Sequence, residues 1–239
     1  MKRHLLIALL LFAPGVFALT DADIAAGLEL LRARLITFTD EVRNNPNAFK
    51  KRTTPTATAM ARLAVVVCGK KAGTGFILRD GGRSYLFTNA HVVEEGHVIA
   101  KLLNGNVLKL GRCDIAQGRD LARFELAGPL PSFELEPNLP VIGNPVTVFG
   151  NSDGRGVITE LHGRVLGVGP EEIEIDAPFV SGNSGSPVLN REGRVIGVAT
   201  YLRDCRNSKD WSKSNTRFNG IRRFALRLTG IRWKMKNGK

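Results

Sequence analysis

After its first eighteen residues this 239-residue chain has no long apolar run, and so no stretch able to cross a bilayer as a helix. Cysteine is scarce. Cys68, Cys113 and Cys205 stand far apart and none belongs to a Cys-x-x-Cys pair, which argues against a zinc site. In an oxidising compartment one disulfide and one leftover thiol can form, but three pairings exist and the sequence does not choose among them. No His/Cys/carboxylate group has ligand spacing, so neither a metal nor a cofactor is expected. Tryptophan and tyrosine number two each. No aromatics interleave the basic residues, so a specific nucleic-acid partner is not expected. Acidic residues are the minority, 22 against 34 basic ones, for a formal charge of +12. That balance suits an anionic surface or polymer, and serves equally well as a solubilising charge. Repeats and low-complexity tracts are absent.

What is present begins with the anatomy of a secretory signal peptide over residues 1–18. Lys2 and Arg3 open it, Leu5 to Phe12 form a short apolar run, and Val16-Phe17-Ala18 supplies a small-x-small cleavage site. The expected location is secreted or periplasmic, with a mature chain that does not span the membrane. Its removal deletes two basic residues and no acid, taking the formal charge from +12 to +10. Residues 19–59 read as an N-terminal arm. A helix over 21–44 carries Ile24, Leu28, Leu31 and Leu35 on one stripe, and a basic linker containing Lys50-Lys51-Arg52 follows. The stripe is expected to pack on the remainder of the chain or on a second subunit.

From Met60 the pattern changes to short β-branched runs punctuated by Gly, Asn and Asp. Six of them, Leu63–Val67, Gly75–Leu78, Tyr85–Thr88, Val98–Leu102, Val107–Leu110 and Leu121–Leu126, precede a Pro-rich crossing at 128–140. Six more follow, from Val146–Phe149 to Phe224–Leu228. The expectation is an all-β chain of two six-stranded antiparallel barrels, at about 60–127 and 141–230, within a unit spanning 60–239.

Three motifs stand on this frame. "FTNAHVV" (87–93) places His91 just after a strand, "GRDLARFEL" (118–126) places Asp120 at the head of another, and "SGNSGSPV" (181–188) exposes Ser184 among small residues. Each alone is an ordinary loop feature. In the order His, Asp, Ser on an all-β chain they describe nucleophilic catalysis. A serine hydroxyl needs an imidazole to take its proton, and the imidazole needs a buried carboxylate to hold its tautomer. Glycines allow backbone N–H groups, here those of Gly182 and Ser184, to surround a developing oxyanion. Asp120 is preferred to Asp114 as the acid because it directly precedes the apolar run.

Over residues 60–228 the chain resembles the trypsin-like serine peptidases, in particular their bacterial Do-like branch. The resemblance is carried by Gly73-Thr74-Gly75-Phe76, Thr88-Asn89-Ala90-His91-Val92-Val93, Asp120-Leu121-Ala122, Gly182-Asn183-Ser184-Gly185 and Phe224-Ala225-Leu226. It implies two perpendicular six-stranded barrels, peptide-bond cleavage through an acyl-enzyme without metal or cofactor, and protein or peptide substrates. It also implies a substrate pocket formed by Pro178, Thr200 and Tyr201, with a far wall at 220–224. Asn183 stands where digestive relatives carry an aspartate that pairs with a newly cut N-terminus, so activation by such a cut is not expected. No PDZ-like segment is expected after Leu228.

Two other readings remain. One is a catalytically silent basic binding protein on a peptidase scaffold. The other is an esterase, which ranks last because helices do not alternate with the strands and the triad order differs from that of α/β-hydrolases. At the pocket, Pro178 stands six residues before Ser184, where enzymes that cut after Arg or Lys carry an aspartate. Arg222 or Arg223 pointing inward would repel a basic P1 side chain; pointing outward, they would leave an apolar pocket. The expectation is a small or medium apolar P1 residue, with an acidic one second.

Overall fold

The computed structural model describes residues 56–94, 96–206 and 220–236. All of them lie in the second of the two units into which the chain divides, Met1–Lys50 and Lys51–Lys239. The signal peptide, the 21–44 helix, the basic cluster and most of the 201–220 loop therefore fall outside the described residues.

A single-turn helix α1 (Thr56–Met60) leads into six strands: β1 (Leu63–Cys68), β2 (Lys71–Asp80), β3 (Arg83–Thr88), β4 (Val98–Leu102), β5 (Leu110–Ala116) and β6 (Ala122–Leu126). Seven more follow the crossing: β7 (Pro145–Asn151), β8 (Ile158–Val168), β9 (Glu172–Ile175), β10 (Pro187–Leu189), β11 (Val195–Asp204), β12 (Ile221–Leu226) and β13 (Trp233–Met235). Strands β7 to β12 close into a six-stranded antiparallel barrel. The first group, with β13 added, forms a seven-stranded sheet in the order β13-β5-β6-β3-β2-β1-β4. The chain between β4 and β5 keeps contact with β4: Leu108 N donates to Ala100 O at 2.8 Å, and two residues later β5 begins.

Two details of this sheet differ from the sequence expectation. The strand expected at 107–110 lies instead over Leu110–Ala116, and β13 adds a seventh strand that pairs Trp233 with Ala116. The β5 segment Leu-Gly-Arg-Cys-Asp-Ile-Ala carries an arginine and an aspartate, so its pattern reads as a loop. It is a strand because Asp114 is buried against Arg123 of the neighbouring strand β6. The β13 segment has little apolar content. It is held by Trp233, whose ring meets Phe87 edge-on at 5.8 Å and covers the Arg123 guanidinium at 4.5 Å.

Three cores follow. One fills the interior of the first sheet (Val66, Ile77, Leu86, Phe124) and one the closed barrel (Val148, Ile173, Ile175, Ala199, Ala225). The third lies between them, joining Phe76, Phe87 and Leu121 to Phe149, Leu189 and Val198. Strand β2 is buried on both faces from Gly73 to Leu78 because it belongs to both the first and the third of these cores, which is why its alternation is weak. The crossing ties the halves together, pairing Phe133 with Leu78 and Leu135 with Val195. Phe133 is wholly buried among these rings.

Candidate active site

His91 sits on a 3-10 turn (Ala90–Val92) that follows β3. Two lysines hold the carbonyls of this turn region, Lys71 Nζ on His91 O at 2.9 Å and Lys236 Nζ on Val93 O at 2.6 Å. Asp120, just before β6, grips the histidine twice. Its Oδ1 accepts from His91 N at 2.8 Å and its Oδ2 lies 2.5 Å from Nδ1. An ionised carboxylate there requires Nδ1 to carry its proton, which leaves Nε2 as the basic nitrogen. The Asp120 side chain is 34% exposed, more open than the buried acid that the chemistry suggested. A carboxylate with no cation beside it is costly to desolvate.

The buried acid is Asp114, whose side chain is 6% exposed between Arg112 and Arg123. It shares no contact with His91 and serves the sheet. Asp114→Ala is therefore expected to cost about 1–3 kcal/mol of stability, because Arg123 loses one carboxylate partner but keeps Asp80, 2.7 Å away. Urea unfolding measures this loss, while hydrolysis per folded molecule should be unchanged.

The Ser184 loop consists of two successive four-residue turns. Asn183 N bonds to Val180 O at 3.1 Å and Ser186 N to Asn183 O at 2.9 Å, with glycines third in each turn, Gly182 at φ +85° and Gly185 at φ +86°. Only glycine takes that conformation without strain, which accounts for the cluster of small residues. The N–H groups of Ser181, Gly182 and Ser184 have no acceptor among the described residues, whereas those of Val180, Asn183, Gly185 and Ser186 are bonded. Ser184 Oγ donates to Thr200 O in a long bond of 3.4 Å. Serine–imidazole hydrogen bonds are often long or unmade without substrate and tighten when it binds. Ser184, Gly182 and His91 line one cleft, while His91, Asp120, Thr200 and Tyr201 line another. Pro178 is exposed and borders neither of them. Tyr201 donates to Glu172 at 2.7 Å; burial and that bond push its phenol up to about 12, so it stays protonated.

Several residues that hold this arrangement carry no obvious chemical signal in the sequence. Thr74 is wholly buried where the halves meet. Its N–H donates to Ser184 O at 2.9 Å, its hydroxyl donates to Gly182 O at 3.0 Å and accepts from Asn151 N at 2.8 Å, and its carbonyl accepts from Thr88 Oγ1. Gly73 beside it admits this approach, since a Cβ there would stand 2.9 Å from Ser184 O. Asn89 ties the acid to the far side of the cleft, donating to Asp120 O at 2.7 Å and Thr200 Oγ1 at 3.0 Å. Asn183 is wholly buried, and its Oδ1 accepts from Val180 N and Ser152 Oγ, so the loop is braced from within the chain. A threonine between two glycines in a strand was the one available hint. Burial raises the Cys113 thiol to about 11.

The closed barrel beside a curled sheet, with the histidine and serine loops meeting between them, is the chymotrypsin-type architecture. The model of the trypsin-like peptidase domain matches residues 73–198, and the chain belongs to that family. Over 142 residues it is 33% identical to a probable periplasmic serine endoprotease of DegP-like type from Brucella suis, covering 54% of this chain and 27% of that protein. It is 37% identical over 146 residues to the putative serine protease HhoB of Synechocystis, covering 55% of this chain and 34% of that one. The chain thus spans about a third or less of the length of these relatives. The crystal structure of a serine endoprotease from Yersinia pestis shares the fold, with a TM-score of 0.56 at 24% identity over 73% of this chain and 63% of that one.

Proposed function

We propose that this protein is a secreted or periplasmic serine endopeptidase that cleaves protein or peptide substrates through Ser184, His91 and Asp120. The observation that carries the reading is the double hold of Asp120 on His91, which leaves Nε2 as the free base in the cleft that Ser184 also lines. His91 Nε2 takes the hydroxyl proton as Ser184 Oγ adds to the scissile carbonyl, and Asp120 stabilises the imidazolium. The unengaged N–H groups of Gly182 and Ser184 donate to the oxyanion. The imidazolium then protonates the leaving amine, and a water activated the same way releases the acyl group.

A fluorophosphonate probe tests this without a substrate. Stoichiometric labelling of Ser184, located by peptide mapping and abolished in His91→Ala, is expected. An unlabelled, folded protein would favour the silent binding scaffold instead. Gly182→Ala probes the oxyanion site. The added Cβ would collide with Asn151 O and Gly154 N at a positive φ and displace the turn. A loss of about 10²–10³ in kcat is expected, as for removal of one oxyanion donor.

A further inference from the structure

Arg222 and Arg223 are consecutive on β12, so their side chains leave opposite faces of the strand. Phe224 shares the face of Arg222, and this face turns outward. Phe224 stacks on Tyr201 with centroids 5.0 Å apart, and Arg222 makes a two-pronged pair with Glu174 at 2.9 and 2.7 Å. Its charge is already matched. Ala225, wholly buried in the barrel core, shares the face of Arg223. Arg223 therefore points to the inner side, at the end of the barrel beneath the Ser184 loop. Its Nε donates to Phe179 O at 2.9 Å and one Nη reaches Ile221 O at 3.5 Å. Among the described residues no carboxylate lies within ion-pair distance of it. Asp176 acts on it only at longer range, and burial weakens its hold on its proton.

Its position matters because of what it connects. Phe179 is five residues before Ser184, and the next residue, Val180, closes the turn that presents Gly182 N. Across the sheet Arg223 is paired with Leu202, two residues past Thr200, whose carbonyl holds Ser184 Oγ. The side chain of a residue acylating Ser184 Oγ would extend between segments 177–181 and 200–202, and Arg223 is tied to both, to the first through Phe179 O and to the second by its pairing with Leu202. A lysine or arginine side chain entering there meets a like charge. An apolar side chain would cover a guanidinium without matching it, and leaving a charge buried and unpaired is unfavourable. A carboxylate supplies the missing partner, in a geometry the guanidinium fork favours.

We propose that Arg223 is the specificity-determining residue of the substrate pocket and selects peptides with glutamate or aspartate at P1. This rests on the serine endopeptidase reading above, and it reverses the order expected from the sequence, which placed apolar residues first. The test is a set of fluorogenic peptides identical except for Glu, Asp, Leu, Ala or Lys at P1, cleaved by the protein and its variants. In the wild type, kcat/KM for Glu or Asp should exceed that for Leu by roughly 100-fold, the scale of one desolvated charge pair. Arg223→Ala should erase that ratio, Arg223→Lys should keep its sign, and Arg223→Glu should transfer the preference to Lys. A purely structural arginine would alter melting temperature but not the ratio. Fluorophosphonate labelling separates the two ways of failing. A labelled wild type that prefers Leu or Ala overturns this proposal alone, as does an acidic preference that survives Arg223→Ala. A wild type that neither labels nor cleaves overturns both readings. The wild-type profile decides even where a variant does not fold.

Discussion

Replacing Ser184 by Ala is expected to lower turnover by about a million-fold, the loss that removal of the nucleophile produces in a triad of this kind. In the mechanism proposed above, the Ser184 hydroxyl oxygen is the atom that bonds to the substrate acyl carbon. The same substitution should leave the fold intact. Ser184 Oγ makes one long hydrogen bond, at 3.4 Å to Thr200 O, while the loop is held by Thr74, Asn183 and backbone turns that the change does not touch. Stability should move by less than about 1 kcal/mol, as for substitutions remote from core and caps. Peptide hydrolysis measured beside a thermal melt checks both halves. A folded Ser184→Ala protein that still hydrolyses peptides, once purified of contaminants, would refute the assignment.

Asp120→Asn should lower kcat by about 10⁴ while leaving substrate affinity nearly unchanged. The carboxylate now accepts two hydrogen bonds from His91, one from the backbone N–H and one from Nδ1. An asparagine has one accepting oxygen. If that oxygen stays with the backbone N–H, its NH₂ faces Nδ1, which must then accept. The ring proton moves to Nε2, and the imidazole can no longer take a proton from Ser184. Steady-state kinetics with active-site titration separates this from misfolding, because the fluorophosphonate labelling rate should fall in step with kcat. A nearly active Asp120→Asn, with Asp114→Asn inactive yet folded, would transfer the role to Asp114.

The double hold on His91 also shows how much of the site was legible. The order His91, Asp120, Ser184 and the small residues at 181–186 could be read directly, because the chemistry demands particular residue types and the turns demand glycine. Of the two nearby acids Asp120 is the one that contacts His91. It is not the buried one, since an isolated sequence cannot tell which of two nearby carboxylates will have arginines beside it. Thr74 and Asn89 lay within quoted motifs but had no assigned task. Three of their partners, Gly182, Asn151 and Thr200, are more than seventy residues away.

From its sequence alone the chain declares an all-β class, a division near the Pro-rich crossing and the three residue types that acyl transfer requires. These are local properties, written in strand-length apolar runs, turn formers and reactive side chains. Tertiary structure alone decides that β5 is a strand, since its polar residues become tolerable only when Asp114 meets Arg123 across the sheet. It likewise decides that the first sheet gains β13, held through Trp233. The two arginines of β12 are the clearest case. Sequence places them side by side with equal claims on the pocket. The barrel closure turns Arg222 outward to Glu174 and Arg223 inward to Phe179 O. A strand's parity is known from its sequence, but which face becomes the interior depends on the strands that pair with it, and here on the irregular register between Ala199 and Tyr201 of β11.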